Sequence, residues 1–158
     1  MLFRSGKPCQ LTVIDDTYNA NPDSVEAATR VLAAHTSAKN RASTLILGDM
    51  GEVGAQGAAF HTVAGEFAAK QGLSSLWTLG ELTQHSNAAF TKHANTAQTA
   101  QHFESHAALA QALGGMPLQD QSLILVKGSR FMRMEQALAA LLQDPRLSTT
   151  PTSDTEPT

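Results

Sequence analysis

The chain has 158 residues, 42% of them hydrophobic, enough for one domain with a packed core and too few for two ordinary ones. Its 11 basic and 14 acidic residues leave a net charge of -3 with no basic stripe, which argues against nucleic acid and anionic membrane surfaces as partners. The single cysteine, Cys9, excludes an internal disulfide and points to a reducing, cytoplasmic setting, while no run of 18 apolar residues suggests membrane insertion and residues 1–10 lack a signal-peptide core.

Residues 1–9 read as an amino-terminal lead. The first apolar run, 11–14 (Leu-Thr-Val-Ile), predicts a buried strand. After its polar loop, Asn21-Pro22 supplies an N-cap residue and a proline at the first helical position, so a helix with core spacing over 25–34 begins there. A second strand at 44–47 leads to a helix over 58–70, where Gly72 suits a left-handed C-cap. A third strand at 76–79 precedes a helix over 82–92. A helix over 107–113, a strand at 123–126 and a helix over 132–142 complete an ordered region spanning 10–144. Asp144-Pro145 stops the last helix, and 145–158, dominated by Ser, Thr, Pro, Asp and Glu, predicts a disordered tail. Alternation of strand and helix predicts an α/β fold: a Rossmann-like three-layer domain, mostly parallel sheet, with helices on both faces.

Ligands of open parallel sheets bind beyond the carboxyl ends of the strands, so the loops there carry the functional candidates. The first runs Asp15-Asp16-Thr17-Tyr18-Asn19-Ala20-Asn21-Pro22. Helix capping accounts for Asn21, but not for Asp16, Tyr18 and Asn19, whose fixed donors and acceptors suit a hydroxyl- or amide-bearing ligand. The second, Gly48-Asp49-Met50-Gly51-Glu52-Val53-Gly54, has Gly-x-x-Gly-x-x-Gly spacing rather than Gly-x-Gly-x-x-Gly. Its two carboxylates would repel a pyrophosphate, so a turn presenting Asp49 and Glu52 to a cation, an amine or His61 fits better than a dinucleotide site. In the third, Lys127-Gly128-Ser129-Arg130, two cations and a hydroxyl sit ahead of a helix start; they suit an anion, or pair with Asp16, Asp49 or Glu52. His102 and His106 bracket Glu104 out of zincin register, so a solvated pair near a helix start is expected there and no metal site. Neither a Gly-x-x-x-x-Gly-Lys-[Ser/Thr] loop nor a Gly-x-Ser-x-Gly elbow occurs, and Cys9 has no activating motif.

Those three loops, with His61 and Met134-Glu135 in the same order, make the stretch from about 10 to 142 resemble the carboxy-terminal domain of Mur ligases, specifically the branch that joins D-alanyl-D-alanine to UDP-N-acetylmuramoyl-tripeptide. The resemblance implies a share in an ATP- and Mg2+-dependent amide-bond-forming ligase of peptidoglycan synthesis, and hence of cell-wall biogenesis, cell shape and division. In that family the precursor carboxylate is activated as an acyl phosphate and attacked by the incoming amine. It further implies that Asp16 approaches the ATP ribose, that Tyr18, Asn19 and Asn21 belong to the nucleotide-facing loop, and that Lys127, Ser129 and Arg130 hold the dipeptide carboxylate. Asp49, Glu52 and His61 are further cleft candidates. Central and amino-terminal ligase domains are the implied partners, and the chain by itself is expected to be inactive and to hold no cofactor tightly. The alternative is a stand-alone, non-catalytic domain for small amino-acid-like ligands.

Overall fold

The computed structural model describes residues 10–146. The lead expected at 1–9 and residues 147–158 of the expected tail lie outside the described residues. Five strands, β1 (Leu11–Asp16), β2 (Ser43–Gly48), β3 (Ser75–Leu79), β4 (Thr99–Phe103) and β5 (Ser122–Lys127), form one sheet in the order β1-β5-β2-β3-β4. Every strand pair in it is parallel. The helices are α1 (Pro22–Lys39), α2 (Gly57–Lys70), α3 (Thr83–His93), α4 (His106–Leu113) and α5 (Glu135–Leu142).

Side chains alternate across a strand, and here the alternation feeds two cores. Leu45, Leu47, Leu76, Leu123 and Leu125 pack with Val25, Leu32, Ala68 and Phe90 from α1, α2 and α3. Ile46, Trp77, Ile124 and Val126 pack on the other face with Leu109 and Leu113 of α4 and Ala137 and Leu141 of α5. Burial of each large apolar side chain contributes roughly 1.5–3 kcal/mol, so the two cores fix both helix layers against the sheet.

Local signals act as expected at two helix ends. Asn21 caps α1 by accepting from Ser24 N–H at 2.8 Å, and Ser24 Oγ accepts from Asn21 N–H at 3.0 Å, a reciprocal capping box. Gly72, at φ +83°, turns the chain out of α2, with Gly72 N–H donating to Ala69 O and Leu73 N–H to Ala68 O. Three elements differ from the sequence reading. Strand β4 was not expected; it is an edge strand of alternating exposure whose only apolar anchors are Ala100 and Phe103, the latter 5.4 Å from the Trp77 ring centroid. Helix α5 begins at Glu135 rather than 132, because Arg130–Met132 forms a 3-10 turn and Arg133 takes a left-handed conformation, φ 50°. Arg146, assigned to the tail, is anchored: its guanidinium donates to Met116 O at 2.8 Å, to Leu113 O at 3.0 Å and to Asp144, whose carboxyl it holds below the usual carboxylate range.

Strands β1 and β5 are neighbours, yet β1 leads to α1 on one face and β5 to α5 on the other. Connections that part in this way open a crevice at the strand tips, where ligands bind in such sheets.

Candidate functional site

The crevice is a cavity of about 440 Å³ lined by Asp15, Asp16, Thr17, Tyr18, Arg130 and Glu135. The first and third loops therefore converge, as the strand order requires. Beneath the opening lies Lys127, at the end of the interior strand β5 and only 2% exposed. Its ammonium donates to Asp16 Oδ2 and to the Asn19 carbonyl, both at 2.8 Å. A buried cation needs a counter-charge, and Asp16 supplies it while remaining 42% exposed. One carboxylate oxygen is thus fixed from below and the other left to the cavity.

Ser129 ties all three loops together. Its hydroxyl donates to Ala20 O at 3.2 Å and accepts from Gly51 N–H, and its own N–H donates to Asp49 O at 3.0 Å. Gly128 beside it has no room for a side chain, since a Cβ there would overlap Met134 and press on Gly48. Lys127 and Ser129, expected to face a ligand, are buried structural links; of the Lys-Gly-Ser-Arg run, Arg130 alone is exposed. Its guanidinium lies 5.4 Å from the centroid of the Tyr18 ring and donates to Tyr18 Oη at 3.4 Å. Tyr18 itself is 73% exposed. No carboxylate among the described residues pairs with Arg130. Asn19 is exposed, with its side-chain oxygen accepting from Ala20 N–H at 2.9 Å, and Asn21 is committed to the α1 cap.

Two of the further cleft candidates are turned inward. Asp49 accepts from Glu81, Leu82 and Thr83 N–H at 3.0, 3.0 and 2.8 Å, so its carboxylate caps the first turn of α3. His61 is fully buried on α2, and its Nε2 accepts from Met50 N–H at 3.0 Å. Nδ1 lies 2.7 Å from the Gly57 carbonyl, which can only accept, so the ring is the neutral tautomer protonated at Nδ1. Loss of hydration lowers the pKa of His61, outweighing the Gly57 carbonyl and Asp49, which pull it upward. Glu52 is exposed at φ 56°, a left-handed conformation strained for a side-chain-bearing residue, and lies outside the cavity lining.

His102 and His106 are not a solvated pair. His102, on β4, has its Nδ1 2.9 Å from Thr78 Oγ1, and His106 Nε2 lies 2.7 Å from the Met132 carbonyl, to which it donates. The cavity lining adds Asp15, Thr17 and Glu135 to the residues given roles from the sequence; the first two stand in the first candidate loop, and Glu135 in the Met134-Glu135 pair that the resemblance includes.

The Mur ligase, glutamate ligase domain family matches residues 2–130. Over 133 residues the chain is 33% identical to the UDP-N-acetylmuramoyl-tripeptide--D-alanyl-D-alanine ligase of Escherichia coli (strain K12), covering 84% of this chain and 27% of that relative. A 72-residue stretch, 44% of this chain, is 43% identical to the ligase of the same name in Mycobacterium bovis. Among solved structures, MurF from Acinetobacter baumannii matches with a TM-score of 0.71 and 29% identity over 86% of this chain and 29% of its own. MurF ligase from Thermotoga maritima in complex with ADP matches with a TM-score of 0.67 over 85% of this chain and 28% of its own, at 19% identity, a likeness of fold. The chain thus spans just over a quarter of the length of the Escherichia coli relative and of the two solved structures.

Proposed function

The chain belongs to the Mur ligase family, to its carboxy-terminal or glutamate ligase domain, and from that premise we propose that it is the part of a D-alanyl-D-alanine-adding ligase that receives the dipeptide and one side of the nucleotide. The observation that carries this reading is the pairing, within one crevice, of a half-exposed Asp16 pinned by Lys127 with an Arg130 that lacks a carboxylate partner. Asp16 has one oxygen free for a ribose hydroxyl, with Tyr18 and Asn19 flanking it. Arg130 presents a fork of donors to the dipeptide carboxylate. Lys127 and Ser129 act by holding Asp16 and the loops, and Asn21 by starting α1, rather than by touching ligand.

In the complete enzyme ATP supplies the phosphoryl group that activates the carboxylate of UDP-N-acetylmuramoyl-tripeptide. The half-exposed Asp16 fits a nucleotide hydroxyl. Mg2+ has no matching donor set here, since no three His, Cys, Asp or Glu among the described residues are grouped to hold an ion; its ligands are proposed to lie in the other domains. Positioning is therefore the contribution of this chain, and orientation of an amine against an acyl group is a large part of such catalysis. Ligase turnover is expected only with the central and amino-terminal domains. The expected cytoplasmic setting belongs to the same proposal; no helix of the described residues is long and apolar enough to cross a membrane. A stand-alone binding domain is not favoured, because the likeness to a ligase runs along 84% of the chain.

A backbone amide NMR titration tests this. D-alanyl-D-alanine is expected to shift amides around Arg130, and an ATP analogue those of 16–19. Saturation of neither loop in the folded protein at millimolar ligand would count against the assignment.

A further inference from the structure

We propose that Glu135 is a specificity-determining residue that binds the free amine of the ligand whose carboxylate Arg130 holds, an inference resting on the dipeptide reading of the same site. Three carboxylates line the cavity, and two are already engaged. Asp15 Oδ1 accepts from Thr17 N–H at 3.1 Å and from Thr17 Oγ1–H at 2.7 Å, while Asp16 is the counter-ion of buried Lys127. Glu135 makes no side-chain hydrogen bond or ion pair among the described residues. The lining thus offers one cation without a carboxylate, Arg130, and two carboxylates without a cation, Asp15 and Glu135, of which Glu135 alone has no hydrogen-bond partner among the described residues.

Neither kind of simple ion satisfies the whole lining: an anion drawn to Arg130 meets Asp15, Asp16 and Glu135, and an amine drawn to the carboxylates leaves Arg130 without a counter-charge. A short ligand with an amine at one end and a carboxylate at the other satisfies both groups at once. A dipeptide spans about 7 Å when extended, and the cavity is of ligand size. Both groups stand on fixed backbone: Arg130 follows buried Ser129, and Glu135 follows Met134, which is fully buried between the tips of β2 and β5. A specificity role needs that rigidity, because a charge on a mobile loop would tolerate a blocked amine.

A bland role competes. Glu135 occupies the first turn of α5, where any acidic side chain favours the helix dipole. Such a residue would be indifferent to the state of the ligand's amine, and that separates the two. The test titrates the chain, by amide NMR, with D-alanyl-D-alanine and with its N-acetylated form. Acetylation is expected to weaken binding to the native chain about fivefold, the scale of an exposed ion pair. Glu135→Gln should bind the two dipeptides alike, and Glu135→Asp should recover part of the preference. Equal binding of both dipeptides to the native chain, or a preference that survives Glu135→Gln, overturns the role of Glu135 and leaves the dipeptide site standing. Failure of the native chain to bind either dipeptide removes the dipeptide reading, and this inference with it.

Discussion

Beneath the crevice, polar groups are consumed by the protein itself; at its rim they are left open. Lys127, Ser129, Asp49 and His61 are all buried and all hydrogen-bonded to loop backbone or to a neighbouring side chain. Tyr18, Arg130 and Glu135 are exposed, and Glu135 has no side-chain partner among the described residues. The two sets come from the same short motifs, sometimes from adjacent residues such as Ser129 and Arg130. A motif match therefore mixes two kinds of residue: those that hold three loops in register and those that meet a ligand. Burial and hydrogen-bond accounting separate them.

The largest expected effect comes from breaking the buried set at its one ion pair. Asp16→Asn keeps the side-chain shape but leaves the Lys127 ammonium with neutral acceptors in a site that water does not reach, an expected loss of about 3 kcal/mol. Lys127→Met leaves Asp16, which is already half in water and can be rehydrated, so its loss should stay below about 1 kcal/mol. Urea midpoints of the two variants check the order. The reverse order would mean that Asp16, not Lys127, is the group trapped inside.

A smaller effect, visible only as pH falls, sharpens the same contrast. His61 must be neutral to accept from Met50 N–H, and burial holds its pKa below the ordinary value of about 6.5. The unfolded chain therefore takes up the proton first. Stability is at its full value above pH 6.5, declines as pH drops from there toward the lowered folded value, and then levels off as far as this group is concerned. A His61→Asn variant should lose that part of the slope below pH 6.5 while the native protein keeps it. Equal slopes would show that the ring is not buried neutral.

Much of this division was hidden in the sequence, for identifiable reasons. Strands β2, β3 and β5 announce themselves as apolar runs because they bury both faces, the edge strand β1 shows through Leu11, Val13 and Ile14, which pack partly against the two cores, and Asn21-Pro22 and Gly72 mark helix ends through backbone chemistry that needs no tertiary context. Strand β4 has a single hydrogen-bonded neighbour and two apolar anchors, so Thr-Ala-Gln-His-Phe carries no run to read. Asp49 read as a cleft carboxylate because it follows a strand, whereas it caps a helix whose first residue is 34 positions later. One cue was present: α3 begins behind Leu82, which cannot cap, so its open N–H groups had to find an acceptor elsewhere. The buried register of α2, with Gly57, His61 and Gly65 four residues apart, likewise held the information that His61 faces inward.

The smallest expected stability effect falls on the rim. Arg130→Ala removes an exposed guanidinium whose only partner among the described residues is the ring and hydroxyl of Tyr18, itself largely in water, so the unfolding free energy should change by no more than about 0.5 kcal/mol. A cation–π contact at an exposed site is worth about that much, and nothing buried loses a partner when it goes. Binding should respond quite differently, because the cavity would then be lined by Asp15, Asp16 and Glu135 with no cation, and a carboxylate-bearing ligand would face net repulsion. Paired urea melts and dipeptide titrations of the one variant give the decisive ratio. A large loss of binding with an unmoved midpoint assigns Arg130 to the ligand. A large loss of stability would move it into the buried set, leaving the crevice without the charge that its proposed role requires.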